Sequence, residues 1–152
     1  MKKLISLLTI LLLFSCSLDD VDIPEDYIAQ NEAEILAYLD DNSLTAQKSP
    51  SGLYYIISTE GTGVQPSITD NVTVAYKGYF IDGQIFDQSD ENGISFNLGQ
   101  VIAGWTEGIT YFKEGGEGIL LIPSHLAYGN TGRPGIPPGS VLVFDISLLS
   151  VD

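Results

Sequence analysis

The chain has 152 residues, 44% of them hydrophobic and 17% charged, with a formal net charge of −14. That length suggests one domain plus its end segments, and the composition is globular rather than disordered. Twenty acidic residues against six basic ones exclude a nucleic-acid surface, which needs clustered Lys and Arg. The single cysteine allows no internal disulfide and no four-ligand Cys/His metal site, so no metal is expected. Sixteen glycines and seven prolines, concentrated in the second half, mark a turn-rich β protein.

Residues 1–15 read as a signal peptide. Lys2 and Lys3 precede an apolar run from Leu4 to Phe14. The run is shorter than the roughly 20 residues that span a bilayer, and it fits a secretory leader. Leu13-Phe14-Ser15-Cys16 resembles a bacterial lipoprotein box. The resemblance implies cleavage before Cys16 and a lipid on its sulfur. Several acyl chains on one residue anchor more firmly than a single chain. Cleavage leaves four basic and twenty acidic residues, a net charge of −16 that suits a solvated surface. Ser17 is not the Asp that retains lipoproteins in some inner membranes, and Asp19-Asp20 favours outward sorting. The expected location is therefore the cell envelope, on the outer membrane rather than the inner, facing the periplasm or the surface. Residues 16–24 form the tether.

Residues 25–41 carry apolar side chains at Ile28, Ile35, Leu36 and Leu39, with an acidic start, and this spacing predicts an amphipathic helix. Packing on the following domain is expected, with contact to a partner chain as the alternative. Residues 42–52 are a Ser/Thr/Pro/Gly-rich linker. From 53 onward the pattern is of strands, at 53–58, 71–80, 95–98, 118–123 and 141–149. Asp82-Gly83 is a hairpin signal. In the strand at 71–80, Val72, Val74 and Tyr76 share one face. The long apolar runs at 118–123 and 141–149 predict central strands, and 103–112 predicts a single short helix. The expected class is α+β, an antiparallel sheet of about five strands with one short helix, preceded by the amphipathic helix.

The usual catalytic parts are scarce. His125 is the only histidine, so any Ser–His–Asp device would have to use it. No glycine-rich phosphate loop is present. The acidic group Asp87, Asp90, Glu91 lacks the glycine and spacing of a calcium loop. What stands out is aromatic and aliphatic side chains beside glycine and proline turns: Tyr76, Phe86, Trp105, Tyr128, Ile136 and Phe144, with the pair Val101-Ile102. Such a set suits a concave apolar site.

Three segments carry a family resemblance. VAYKGYFIDGQIFDQS (74–89), FNLGQVIAGWTEGI (96–109) and IPSHLAYGNTGRPGIPPGSVLVFDISLL (122–149) resemble, in order, successive parts of the FKBP-type peptidyl-prolyl cis–trans isomerase domain. The match runs over 53–152 and leaves the helix at 25–41 outside it. Leader, helix and domain together are also similar to isomerase lipoproteins associated with gliding motility in some bacteria. The sequence departs from the family pattern in places. Gln100 alone separates Gly99 from Val101, no arginine lies between Asp87 and Ser95, a single Ile136 precedes Pro137-Pro138, and Arg133 stands where a neutral or histidine-type residue is usual.

The resemblance implies a twisted antiparallel sheet wrapped around a short helix, with the pocket between them. It implies an enzyme without a cofactor, acting on proline-containing polypeptides of exported proteins, and it implies macrolide ligands of the FK506 type. Tyr76, Asp87 and Tyr128 are then the catalytic set. Phe86, Val101, Ile102, Trp105, Ile136 and Phe144 bind substrate, with Trp105 as floor. A non-catalytic proline-segment binding or chaperone module, and a motility-complex assembly element built on the helix at 25–41, are the alternative functions.

Overall fold

The computed structural model describes residues 27–152, so the leader, Cys16, the tether and the acidic start of the first helix lie outside the described residues. Among the described residues no helix is long and apolar enough to cross a membrane. The elements in order are α1 (Tyr27–Asp41), β1 (Gln47–Lys48), β2 (Tyr54–Thr59), β3 (Asn71–Tyr79), β4 (Ile85–Gln88), β5 (Ile94–Asn97), α2 (Ala103–Gly108), β6 (Glu117–Ile122) and β7 (Leu142–Val151).

The strands form one antiparallel sheet of seven, in the order β1-β2-β6-β7-β3-β4, with β5 also pairing β3. The sequence signals about five. The two extra strands are short: β1 has two residues inside the expected linker, and β4 has four after the Asp82-Gly83 turn. β3 serves two partners on one edge, β5 along its first half and β4 along its second. β6 and β7 are central, as their unbroken apolar runs predict.

Alternation along the central strands explains those runs. Leu120 and Ile122 of β6, with Leu142, Phe144, Ile146 and Leu148 of β7, face the main core under α2. Leu121 and Val143 point to the opposite face, where they pack with Ile35 and Leu39 of α1. A strand covered on both faces reads as apolar at every position. Beyond the reach of α1 the outward positions turn polar, and Lys77 pairs with Asp145 at 2.9 Å.

α2 nests closely in the inner face. A Cβ on Gly104 would overlap the side chain of Ile122, and one on Gly108 would fall 2.7 Å from Leu120 Cδ1. The predicted single helix runs on past Gly108 as a 3-10 turn, Ile109–Tyr111, which tightens its last turn.

α1 differs from its sequence pattern in which residues it buries. Ile28 and Leu36 are about half exposed, at 52% and 50%, and the buried stripe is Asn31, Ile35 and Leu39. Asn31 is fully buried because its amide meets backbone on both sides. Nδ2 donates to Gly139 O at 2.8 Å, and Oδ1 accepts from Ser124 N at 2.8 Å. Those two contacts lie at the two ends of the loop 124–139. Glu32 adds an ion pair to Lys48 and accepts from the Tyr54 hydroxyl at 3.1 Å.

Asn31→Leu strands the Ser124 amide and the Gly139 carbonyl without partners, a loss of about 2–3 kcal/mol. Urea unfolding measures it, and amide exchange should rise at 124–139 more than in β7. A variant with the wild-type urea midpoint would remove this role of Asn31.

Candidate functional site

Between α2 and the strands beside it lies a cavity of about 660 Å³. All nine residues picked from the sequence line it. β3 and β4 bring Tyr76, Phe86 and Asp87; β7 brings Phe144; the approach to α2 brings Val101, Ile102 and Trp105; the loop 124–139 brings Tyr128 and Ile136. The sequence reading did not pick Ile94, Phe96, Gln100, Pro134 and Gly135, which also line the cavity. It took Arg133 as a solvated loop tip, with a role in substrate choice as the alternative, and the fold brings it to the cavity rim. Ile94 and Phe96 sit on β5, whose pairing with β3 carries them to the wall. Phe96 lay in a predicted strand and inside the quoted motif. Its inward face follows from register, which the short strand alone does not fix.

The floor is aromatic. Trp105 is 6% exposed and meets Tyr76 and Phe144 edge-on, with ring centroids 5.0 and 5.1 Å away, and Phe96 at 5.2 Å. Phe86 meets Phe144 at 5.5 Å and 90°. Edge-to-face packing fixes ring orientation beyond simple burial. Gly78 makes room for it, since a Cβ there would fall 2.7 Å from Phe144 and 2.8 Å from Phe86. The Trp105 Nε1–H is buried and makes no hydrogen bond among the described residues.

Polar groups line the cavity as well. The Tyr76 hydroxyl donates to Asp87 Oδ2 at 2.8 Å, and the Tyr76 amide donates to Ser89 Oγ at 2.9 Å. Burial pushes the Tyr76 phenol from its ordinary value near 10 up to about 12, and the Asp87 hydrogen bond adds to the shift. Ile102 is the N-cap residue of α2, in extended backbone. Arg133 Nη1 donates to the Tyr128 oxygen at 3.0 Å, with its guanidinium 4.9 Å from that ring's centroid. His125 lies elsewhere, its Nε2 2.9 Å from Ser51 O, so it takes no part in this cavity.

A model of the FKBP-type peptidyl-prolyl cis-trans isomerase matches residues 63–149. The chain belongs to this family. FkpA of Escherichia coli, an FKBP-type isomerase by name, is 46% identical over 127 residues, which cover 81% of this chain and 47% of FkpA. The crystal structure of FkpA superposes with a TM-score of 0.73 at 45% identity, covering 82% of this chain and 61% of that one. A peptidyl-prolyl cis-trans isomerase of Pseudomonas syringae superposes at 0.72 with 34% identity, covering 84% of this chain and 97% of that one. The outer membrane protein MIP of Legionella longbeachae is 38% identical over 144 residues, covering 84% of this chain and 61% of MIP. The chain thus spans about half the length of the FkpA it matches. The family fold accords with the observed antiparallel sheet and short helix.

The raised Tyr76 phenol makes an alkaline signature. A folded pKa above the unfolded one contributes stability that is complete below about pH 10 and lost as pH rises through about 12. The fall between pH 9.5 and 11.5, followed as the urea midpoint, should be shallower in Tyr76→Phe than in the wild type. Parallel curves would show that Tyr76 does not hold its proton in this way.

Proposed function

We propose that this protein is a peptidyl-prolyl cis–trans isomerase that acts on X–Pro bonds of exported proteins, held in the cell envelope by a lipid on Cys16. The observation that carries the enzymatic reading is the convergence of Tyr76, Phe86, Asp87, Trp105, Tyr128 and Phe144 on one cavity with an aromatic floor. Family membership supports it.

The reaction needs no nucleophile. Amide resonance sets a barrier of about 18–20 kcal/mol, and the uncatalysed step takes tens to hundreds of seconds. Twisting the bond by roughly 90° destroys that resonance. The twisted amide is less polar than the planar one, so an apolar cavity holds it better. That preference for the transition state over the ground state is what accelerates the step. Each 1.4 kcal/mol of preference gives about tenfold, so an acceleration near 10⁵ needs about 7 kcal/mol.

The roles follow. Trp105 takes the face of the proline ring, and Tyr76, Phe86 and Phe144 form the walls around it. Val101 and Ile136 close the sides. The Ile102 N–H and the Tyr128 hydroxyl hold substrate carbonyls. Asp87 presents a carboxylate edge near the twisting carbonyl and orients the Tyr76 hydroxyl. The same apolar bowl suits macrolides of the FK506 type. The signal-like leader, the lipoprotein-like box and the likeness to a protein named for the outer membrane support the envelope location.

The full-length chain in mild detergent should isomerise a Leu–Pro peptide, and a Trp105→Leu/Tyr128→Phe double variant should lose on the order of a hundredfold in kcat/KM. A wild-type protein with no turnover above background would overturn the enzyme reading and favour a proline-segment binding module. For the anchor, the cell-made protein should partition into a detergent phase and Cys16→Ser into the aqueous phase. Equal partitioning of the two would remove the lipid.

A further inference from the structure

The cavity rim carries one basic side chain, in a chain that has four basic residues after the leader. We propose that Arg133 is a specificity-determining residue, favouring substrates with an acidic side chain immediately before the proline. This rests on the isomerase reading of the cavity and adds to it a substrate class.

Placement is the first support. Arg133 Nη1 donates to the Tyr128 oxygen at 3.0 Å. A phenol oxygen can accept and donate at once, so this bond leaves the Tyr128 O–H to donate into the cavity. In the proposed pose the carbonyl held there is that of the residue before proline. The side chain of that residue branches from the neighbouring Cα. It therefore lies within reach of the guanidinium that touches the same phenol.

Availability is the second. A guanidinium has five N–H donors, and the Tyr128 bond uses one. Among the described residues the ion pairs are Lys48–Glu32 and Lys77–Asp145, and Arg133 enters neither. None of the acidic residues among the described ones pairs with it. The carboxylate on the cavity rim, Asp87, is engaged by the Tyr76 hydroxyl. A carboxylate arriving with substrate meets a planar fork suited to two parallel hydrogen bonds.

Rigidity is the third. Arg133 opens a tight turn in which Arg133 N donates to Ile136 O at 2.9 Å and Ile136 N returns to Arg133 O at 2.8 Å. Pro134 occupies the second position and Gly135, at φ +84°, the third. That sequence and dihedral are those of a type II turn. Ile136 is 6% exposed and pins the turn to the core. With its backbone fixed and its guanidinium stacked on Tyr128, Arg133 has little left to order when substrate arrives.

The test compares peptides that differ only before proline, with Glu, its neutral isostere Gln, or Lys. The full-length chain in mild detergent is assayed for kcat/KM. Its single tryptophan, Trp105 on the cavity floor, separately reports peptide binding by fluorescence. The wild type should prefer Glu–Pro to Gln–Pro by about fivefold at low salt, the size of a partly exposed charge contact, and by less at high salt. Arg133→Gln should bring that ratio to about one, Arg133→Lys should keep part of it, and Arg133→Glu should favour Lys–Pro. An unchanged ratio in Arg133→Gln, or an equal loss on all three peptides, would overturn the inference and leave Arg133 as a support for Tyr128. Absence of turnover on every peptide, with the Glu–Pro preference still visible in binding, would sink the isomerase reading and keep the charge selection.

Discussion

The cavity depends on how closely α2 lies against β6. Gly104 and Gly108 face Ile122 and Leu120 with no space for a methyl group. That approach lowers the helix until Trp105, the residue after Gly104, lies level with the aromatic rings of β3 and β7. A helix standing even one methyl layer higher would lift the indole out of contact with Tyr76 and Phe144. The bowl is thus set by two absent side chains as much as by the aromatic ones that line it. Gly78 repeats the device in the sheet, where its missing Cβ lets Phe86 and Phe144 meet.

The opposite face of the sheet is closed by α1, and this second layer bears on the first through one polar side chain. Asn31 holds Ser124 and Gly139, the ends of the loop that delivers Tyr128, Arg133 and Ile136 to the rim. Within that loop Gly129 N donates to Ser124 O and Gly139 N to Gly129 O, so the contacts form a continuous strap. A helix outside the stretch matched to the family therefore helps fix a wall of the cavity. Apolar burial of Ile35 and Leu39 supplies the adhesion, and the buried amide supplies the register.

Much of this was legible in the sequence. Three ordered motifs named nine residues that the fold brings around one cavity, and the apolar runs of β6 and β7 announced central strands. The misses have physical causes. β1 and β4 are too short for alternation to declare them. Ile28 and Leu36 satisfy helical spacing as well as Ile35 does, and only the position of the sheet decides which stripe is covered. Asn31 reads as a solvent residue because its partners lie 93 and 108 positions away. Arg133 reads as a loop tip, and its place on the cavity rim follows from a turn that folds it back over Tyr128.

The Asn31 strap also bears on where one protein ends and its neighbour begins. The family model matches 63–149 and stops short of α1, β1 and β2, whereas the alignment with FkpA, over 81% of the chain, reaches them. Yet β2 forms a full ladder with β6, and α1 clasps the rim loop from behind. The stretch that the family model describes is therefore smaller than the unit that coheres as a body. A recombination event that moved only residues 63–149 to a new host would leave β6 as a raw edge and the Tyr128 loop unmoored. The shape of this bowl is thus tied to a helix that does not line it.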